Sequence, residues 1–157
     1  MFFGVTKLFL NDNPTLRRLI YVFIKELKAR EDEVFIVTSC LSKDMMSDNP
    51  MYKANALRVL TKIADKSNLL SIEKLIKTSM VDRSTHVKNA ALVSAIHLYK
   101  EHPDMVKKLV GDIQNNLLSG NKELQYHALI LLHEIRKVDP MAILKILSQL
   151  TDSQATL

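Results

Sequence analysis

The sequence predicts an all-α fold built from successive pairs of helices, on the evidence of composition, an internal repeat and the placement of proline. The chain has 157 residues, of which 47% are hydrophobic, with no Trp, three Gly and four Pro. Leu, Ile, Val, Met and Ala predominate, which favours helix-on-helix packing over a β-sandwich. So few Gly and Pro also indicate that the connections between helices are short.

The internal repeat is the strongest of the three signals. Four segments align without gaps, at residues 13–27, 49–63, 84–98 and 121–135. In each of them apolar residues recur at spacings of four, four and three residues, which places them on one face of an α-helix. The second position on this face is Ala in three segments (Ala56, Ala91 and Ala128), so two helices can approach closely there.

Each repeat pairs this inner helix with an apolar outer helix that precedes it. The predicted outer helices span residues 2–10, 34–46, 69–81 and 105–118, and a fifth at 141–150 has no partner. A helix, a tight turn and a second helix, repeated in this way, form the HEAT or armadillo pattern. The prediction is therefore a right-handed HEAT- or armadillo-like α-solenoid of about four and a half helix pairs.

The whole chain, residues 1–157, is expected to be a single segment of such a solenoid, truncated at both ends. Phe2 and Phe3 open the chain with aromatic side chains, and the last helix exposes Ile143, Ile146 and Leu150. Terminal repeats of a complete solenoid normally carry a polar outer face, so these ends are expected to self-associate. The alternative is a complete small domain whose ends fold back.

Proline and its neighbours mark the predicted helix starts, at Asn13-Pro14, Asn49-Pro50, His102-Pro103 and Asp139-Pro140. Proline at the first helical position loses no hydrogen bond, and a preceding Asn or Asp can cap the free amides. Gly120 predicts a helix stop, because glycine is free to take the left-handed conformation that often ends a helix.

The residues predict no catalytic, cofactor or metal site, and therefore no enzyme. His133 begins a sequence like that of a zinc-protease helix, but Lys137 stands where the second His ligand is required. Cys40 is expected to be a small core residue without special reactivity. Asp44 and Asp48, a turn apart at a helix end, are expected to be capping or solvated residues and not an acid–base pair.

Charge and cysteine content narrow the class of partner and the compartment. The net charge is +5 and the pI is near 9.3, but no run of basic residues exceeds two. Nucleic-acid binders usually show a denser basic face, so no nucleic-acid partner is predicted.

One cysteine fits a reducing compartment, and neither a membrane-spanning stretch nor a leader is apparent. A cytoplasmic location is predicted.

On these grounds alone the sequence predicts a protein-binding helical scaffold and leaves its partners open. Six collinear strings extend the prediction: Thr6–Phe9, Pro14–Arg18, Ile36–Ser39, Ser42–Met45, Ala91–Ser94 and Gln125–Leu129. They occur in this order and at similar spacing in the gamma-subunit family of the coatomer vesicle coat, which the chain resembles almost from end to end.

The resemblance implies a structural, protein-binding segment of the COPI coat, taken from the adaptin-like N-terminal trunk of the gamma subunit. It implies a part in vesicle-mediated transport within the Golgi and from the Golgi to the ER. The chain would then be peripheral to the Golgi membrane and to coated vesicles, on their cytosolic side. The implied partners are the coatomer zeta subunit, other coat subunits and an Arf-family GTPase in its GTP form, and no cofactor is implied.

The resemblance also implies a GTPase-binding site on two successive early helices. In related adaptor trunks apolar side chains there contact the switch surface of the GTPase, and the matching positions here are Val22, Ile36 and Ser39. Ser39 departs from the adaptors, which carry an aliphatic residue at that position. The alternative is that Val22 and Ile36 are core residues.

Two competing functions stay open at this point. The repeat alone also permits a HEAT or armadillo scaffold unrelated to vesicle coats. A HEAT-repeat enzyme similar to the alkylpurine glycosylases is favoured only by the basic pI, and it requires a clustered basic cleft that the dispersed charges do not indicate.

Overall fold

The computed structural model describes residues 13–26, 31–63 and 68–137 continuously, the side chains of residues 31–33 excepted, and residues 4, 7–9, 11, 141, 144, 145, 148 and 151. This part of the chain forms eight helices and no strand. They are α1 (Pro14–Glu26), α2 (Glu31–Met45), α3 (Pro50–Lys62), α4 (Leu69–Met80), α5 (Thr85–Tyr99), α6 (Pro103–Lys107), α7 (Val110–Leu117) and α8 (Lys122–Arg136). The prediction of an all-α fold is confirmed.

The four repeated segments are the helices α1, α3, α5 and α8. Helices α1, α3 and α6 begin at prolines, as predicted. The Asn13 side chain accepts hydrogen bonds from the amides of Thr15 and Leu16 at 2.9 and 3.1 Å. Asn49 and Asn121 cap α3 and α8 in the same way. Asparagine thus stabilises three of the four inner helices at their first turn.

One local prediction is wrong. The outer helix predicted at residues 105–118 is divided into α6 and α7, because the Lys108 and Leu109 amides bond to carbonyls three residues back, in a tighter turn. Gly120 follows a helix end as predicted, and no described glycine has a positive φ. The Ser119 hydroxyl donates to the Asn116 carbonyl at 2.7 Å, so a carbonyl at the end of α7 has a partner without a left-handed residue.

The chain divides into two compact units, Met1–Ile76 and Lys77–Leu157, with the boundary inside α4. In the first unit α3 packs against both α1 and α2. The predicted stripe lies in this core, where Ile20, Ile24, Ala56 and Leu60 are buried. Helix α3 is therefore the central element of the first unit.

In the second unit α8 packs against α5 and α7, and α5 also contacts α6. Ala91, Ala95 and Ala128 are fully buried on the predicted stripe, which is the close helix approach that the alanines indicated. Asn116 is also buried, and its side-chain amide donates to the carbonyls of Met80 and Asp112 at 3.1 and 2.8 Å. A neutral amide thus joins the end of α4 to α7.

Several predicted features lie outside the described residues. These are the Asp139-Pro140 helix start and the apolar side chains proposed for the two chain ends, namely Phe2, Phe3, Ile143, Ile146 and Leu150.

Candidate functional site: a protein-binding surface

Helix α1 buries one face and leaves apolar side chains on another. Ile20 and Ile24 pack in the core, whereas Val22 is 59% exposed and its neighbours Leu19 and Phe23 are also exposed. A helix needs only one apolar stripe to pack against its neighbours. The exposed side chains of α1 therefore contribute nothing that the core requires.

An apolar groove runs along this exposed side of α1. The residues that line it are Leu8, Leu16, Leu19, Ile20, Val22, Phe23 and Glu26. Glu26 is the one charged residue among them. A shallow apolar groove with little charge is typical of a surface that binds another protein.

Helix α2 exposes the other two predicted site residues. Ile36 is 42% exposed, and Ser39 is exposed one turn later on the same side of the helix. The alternative that Val22 and Ile36 are core residues is wrong, because neither is buried. Ile36 and Ser39 do not line the α1 groove, so the structure places the predicted residues on two exposed helix faces and not in one pocket.

Three further exposed apolar residues lie beside the predicted ones and were missed from the sequence. Leu19 and Phe23 flank Val22 on α1, and Phe35 precedes Ile36 on α2. For Leu19 and Phe23 the available signal was their position off the repeated stripe of α1, since an apolar residue that the stripe does not use must lie elsewhere on the helix.

A buried polar cluster joins α1 to α2. The Tyr21 hydroxyl donates to Oδ2 of Asp44 at 2.6 Å. Arg17 Nη1 lies 3.8 Å from the same carboxylate oxygen. The expectation that Asp44 is a capping or solvated residue is wrong, because its side chain points inward to these two partners, whereas Asp48 is exposed as expected.

Two aromatic rings complete the cluster around the Arg17 guanidinium. Its central carbon lies 5.0 Å from the ring centre of Phe9 and 4.9 Å from that of Tyr52. The buried Nε and Nη1 atoms of Arg17 have no hydrogen-bond partner within the described residues. Cation–π attraction and the Asp44 carboxylate are thus what stabilise the buried charge.

Burial is the largest influence on the pKa values of Asp44 and Tyr21. Burial raises the pKa of Asp44, whereas the Tyr21 hydrogen bond and the Arg17 charge lower it. The pKa of Tyr21 is raised well above its ordinary value, first by burial and then by the bond to Asp44. Tyr21 therefore stays protonated and keeps its role as the donor.

Cys40 was expected to be a core residue but is only half-buried. Burial raises the pKa of its thiol, which disfavours the reactive thiolate. In the described part of the chain, no three His, Cys, Asp or Glu residues could hold a metal ion. None of the described helices is long and apolar enough to cross a membrane.

The exposed apolar faces of paired helices define a helical-repeat protein whose surface suits protein binding. The chain belongs to the family described as the adaptin N terminal region, whose model matches residues 1–156. Membership of this family confirms the predicted HEAT-like fold class.

Individual relatives are more specific. The chain is 47% identical over 151 residues to the coatomer subunit gamma of Arabidopsis thaliana. It is 44% identical over 150 residues to that of Dictyostelium discoideum, and 43% identical over 150 residues to coatomer subunit gamma-1 of Homo sapiens. Each alignment covers 96% of this chain and 17% of the relative. The resemblance to the coatomer gamma-subunit family is confirmed.

Proposed function

We propose that this chain is a structural, protein-binding segment of a COPI-type vesicle coat, peripheral to the Golgi membrane on its cytosolic side. Its similarity to coatomer gamma subunits over 96% of its length supports this role. The proposed process is vesicle-mediated transport within the Golgi and from the Golgi to the ER. The chain would act by binding other proteins and not by catalysis.

We further propose that the exposed faces of α1 and α2 bind an Arf-family GTPase in its GTP form, through Val22, Ile36 and Ser39. The observation that carries this proposal is the exposure of Val22 and Ile36, which are apolar and lie within helices yet are not used by the core. GTP orders the switch regions of such a GTPase into a defined surface, and hydrolysis releases them. An apolar patch on two helices therefore has a partner surface only in the GTP form.

The affinity should be low, because the two exposed faces offer a small interface. We expect a dissociation constant on the order of 10 µM or weaker, as for small transient interfaces. Calorimetric titration of the chain with GTPase loaded with a non-hydrolysable GTP analogue or with GDP tests this directly. Equal binding of the two forms would contradict the proposal.

A matched pair of variants tests the site itself. Ile36→Asp introduces a charge into the patch and should abolish binding, because that carboxylate would be desolvated without a partner. Leu70→Asp introduces the same charge at a residue that is 73% exposed, in the first turn of α4, where an acidic side chain is tolerated. It should bind like the wild type.

Folding is checked for both variants by circular dichroism and thermal melting. If Leu70→Asp reduces binding as strongly as Ile36→Asp, charge alone explains the loss and the assignment of the site to α2 fails.

The coatomer zeta subunit and other coat subunits are proposed as further partners of the chain. Similarity to subunits of a multi-protein coat supports them. Co-expression with the zeta subunit followed by size-exclusion chromatography tests this, and separate elution of the two chains would contradict it.

A further inference from the structure

The buried cluster that joins α1 to α2 uses residues of α1 that lie off the repeated apolar stripe. Tyr21 lies between Ile20 and Val22, so it is adjacent in the chain to a core residue and to a predicted site residue. Its hydroxyl crosses to Asp44 of α2 over 2.6 Å. Apolar packing alone lets a helix slide or rotate slightly, whereas a charge-assisted hydrogen bond of this length fixes one geometry.

We propose that Tyr21 and Asp44 are positioning residues, which hold α1 against α2 so that the two exposed faces are presented together to one partner. This inference rests on the proposed function, since the partner is the GTP-form GTPase. Arg17, which is also on α1, makes a second contact with the Asp44 carboxylate, at 3.8 Å. One carboxylate on α2 thus fixes two side chains of α1 that lie one turn apart.

The geometry makes an indirect role necessary. Tyr21 is 3% exposed, so a docked protein cannot touch its hydroxyl. Asp44 is eight residues beyond Ile36, about 12 Å along the helix axis at about 1.5 Å per residue. Any effect of these two residues on binding must therefore pass through the relative placement of α1 and α2.

The test uses the full chain and the variant Tyr21→Phe, which removes the donor and keeps the ring edge-on to Phe9. The dissociation constant for the GTP-form GTPase is measured well below the melting temperature, where wild type and variant are both folded. We expect binding to weaken roughly threefold to tenfold, the range that residues without ligand contact produce.

The matched control is Ile113→Val, a fully buried position in the second unit. It lowers stability without touching the cluster, and it should leave the dissociation constant unchanged. This separates positioning from a general loss of stability. The positioning role is overturned if Tyr21→Phe binds like the wild type. It is also overturned if Tyr21→Phe and Ile113→Val weaken binding equally.

Hydrogen exchange gives a second readout that does not depend on the partner. Tyr21→Phe should accelerate amide exchange in α1 and in the last turn of α2, and leave α8 unchanged. Unchanged exchange in α1 would overturn the inference even if binding fell. If the wild type binds the GTP and GDP forms of the GTPase equally, the proposed function fails and the positioning role fails with it. If the wild type prefers the GTP form and Tyr21→Phe binds it equally well, only the positioning role is refuted.

Discussion

The two compact units place a polar side chain at the same point of the repeat and bond it differently. Asp44 and Asn116 each lie five residues before the Asn that caps the next inner helix, and both are buried. In the first unit the carboxylate contacts a phenol and a guanidinium. In the second unit the amide bonds only to backbone carbonyls. A neutral amide is satisfied by the helices themselves, whereas a buried carboxylate depends on specific side chains.

The two units also differ in what accompanies this polar residue. The first unit combines its charged cluster with exposed apolar residues on α1 and α2. The second unit packs α5 and α8 through buried alanines, a contact that requires little more than small side chains. We infer that the first unit depends on a specific polar geometry, whereas the contact between α5 and α8 depends mainly on close packing.

Removal of the carboxylate should give the largest loss of stability. Asp44→Ala leaves the Arg17 charge buried without its ion partner, and we expect a loss of about 3–5 kcal/mol in the free energy of unfolding. Urea denaturation followed by circular dichroism measures it.

The corresponding change in the second unit is the control. Asn116→Ala removes a neutral partner and should cost only about 1–3 kcal/mol. If Asn116→Ala costs as much as Asp44→Ala, the contrast between the two units is wrong.

Overpacking of the alanine contact should have an intermediate effect. Ala91 is fully buried where α5 packs against its neighbours, so Ala91→Leu should destabilise the chain by about 1–3 kcal/mol. The midpoint of chemical denaturation reports the change. A midpoint equal to that of the wild type would mean that the helices do not approach closely at this position.

The smallest expected effect is a pH dependence that belongs to the first unit. Because burial raises the pKa of Asp44 in the folded state, the folded chain binds this proton more tightly than the unfolded chain does. The stabilising contribution is fully present below the ordinary carboxyl pKa, about 4, and is lost as the pH rises through the raised value.

The stability of the wild type relative to Asp44→Asn should therefore fall as the pH rises from 4 to 7, as measured by urea unfolding of both chains. A relative stability that increases over this interval would mean that the Arg17 ion pair outweighs burial. Asn116 cannot titrate, so Asn116→Ala should shift the unfolding free energy equally at both pH values.

The sequence predicted the inner helices closely because their signals are local. A spacing of four, four and three residues specifies a helical face, and the Asn caps mark where the helix begins, so α1, α3 and α8 start where expected. The division between α6 and α7 was missed because a three-residue hydrogen-bond turn leaves the apolar pattern intact, with Leu109 and Ile113 both buried.

The polar cluster could not have been predicted from spacing. Asp44 lies 23 residues from Tyr21 in the chain, and a carboxylate near a helix end is ordinarily solvated. Its burial depends on how α2 lies against α1, which the repeat pattern does not specify. The exposure of Val22 and Ile36 was likewise undecided in the sequence, because an apolar residue beside a stripe can face either the core or the solvent.

Amide hydrogen exchange of the chain, mapped with and without the GTP-form GTPase, tests the proposed binding surface most directly. Binding through α1 and α2 should protect these helices of the first unit, leave α5 and α8 of the second unprotected, and give no protection anywhere with the GDP form. Protection confined to α5 and α8, or equal protection by the GTP and GDP forms, would contradict the proposal.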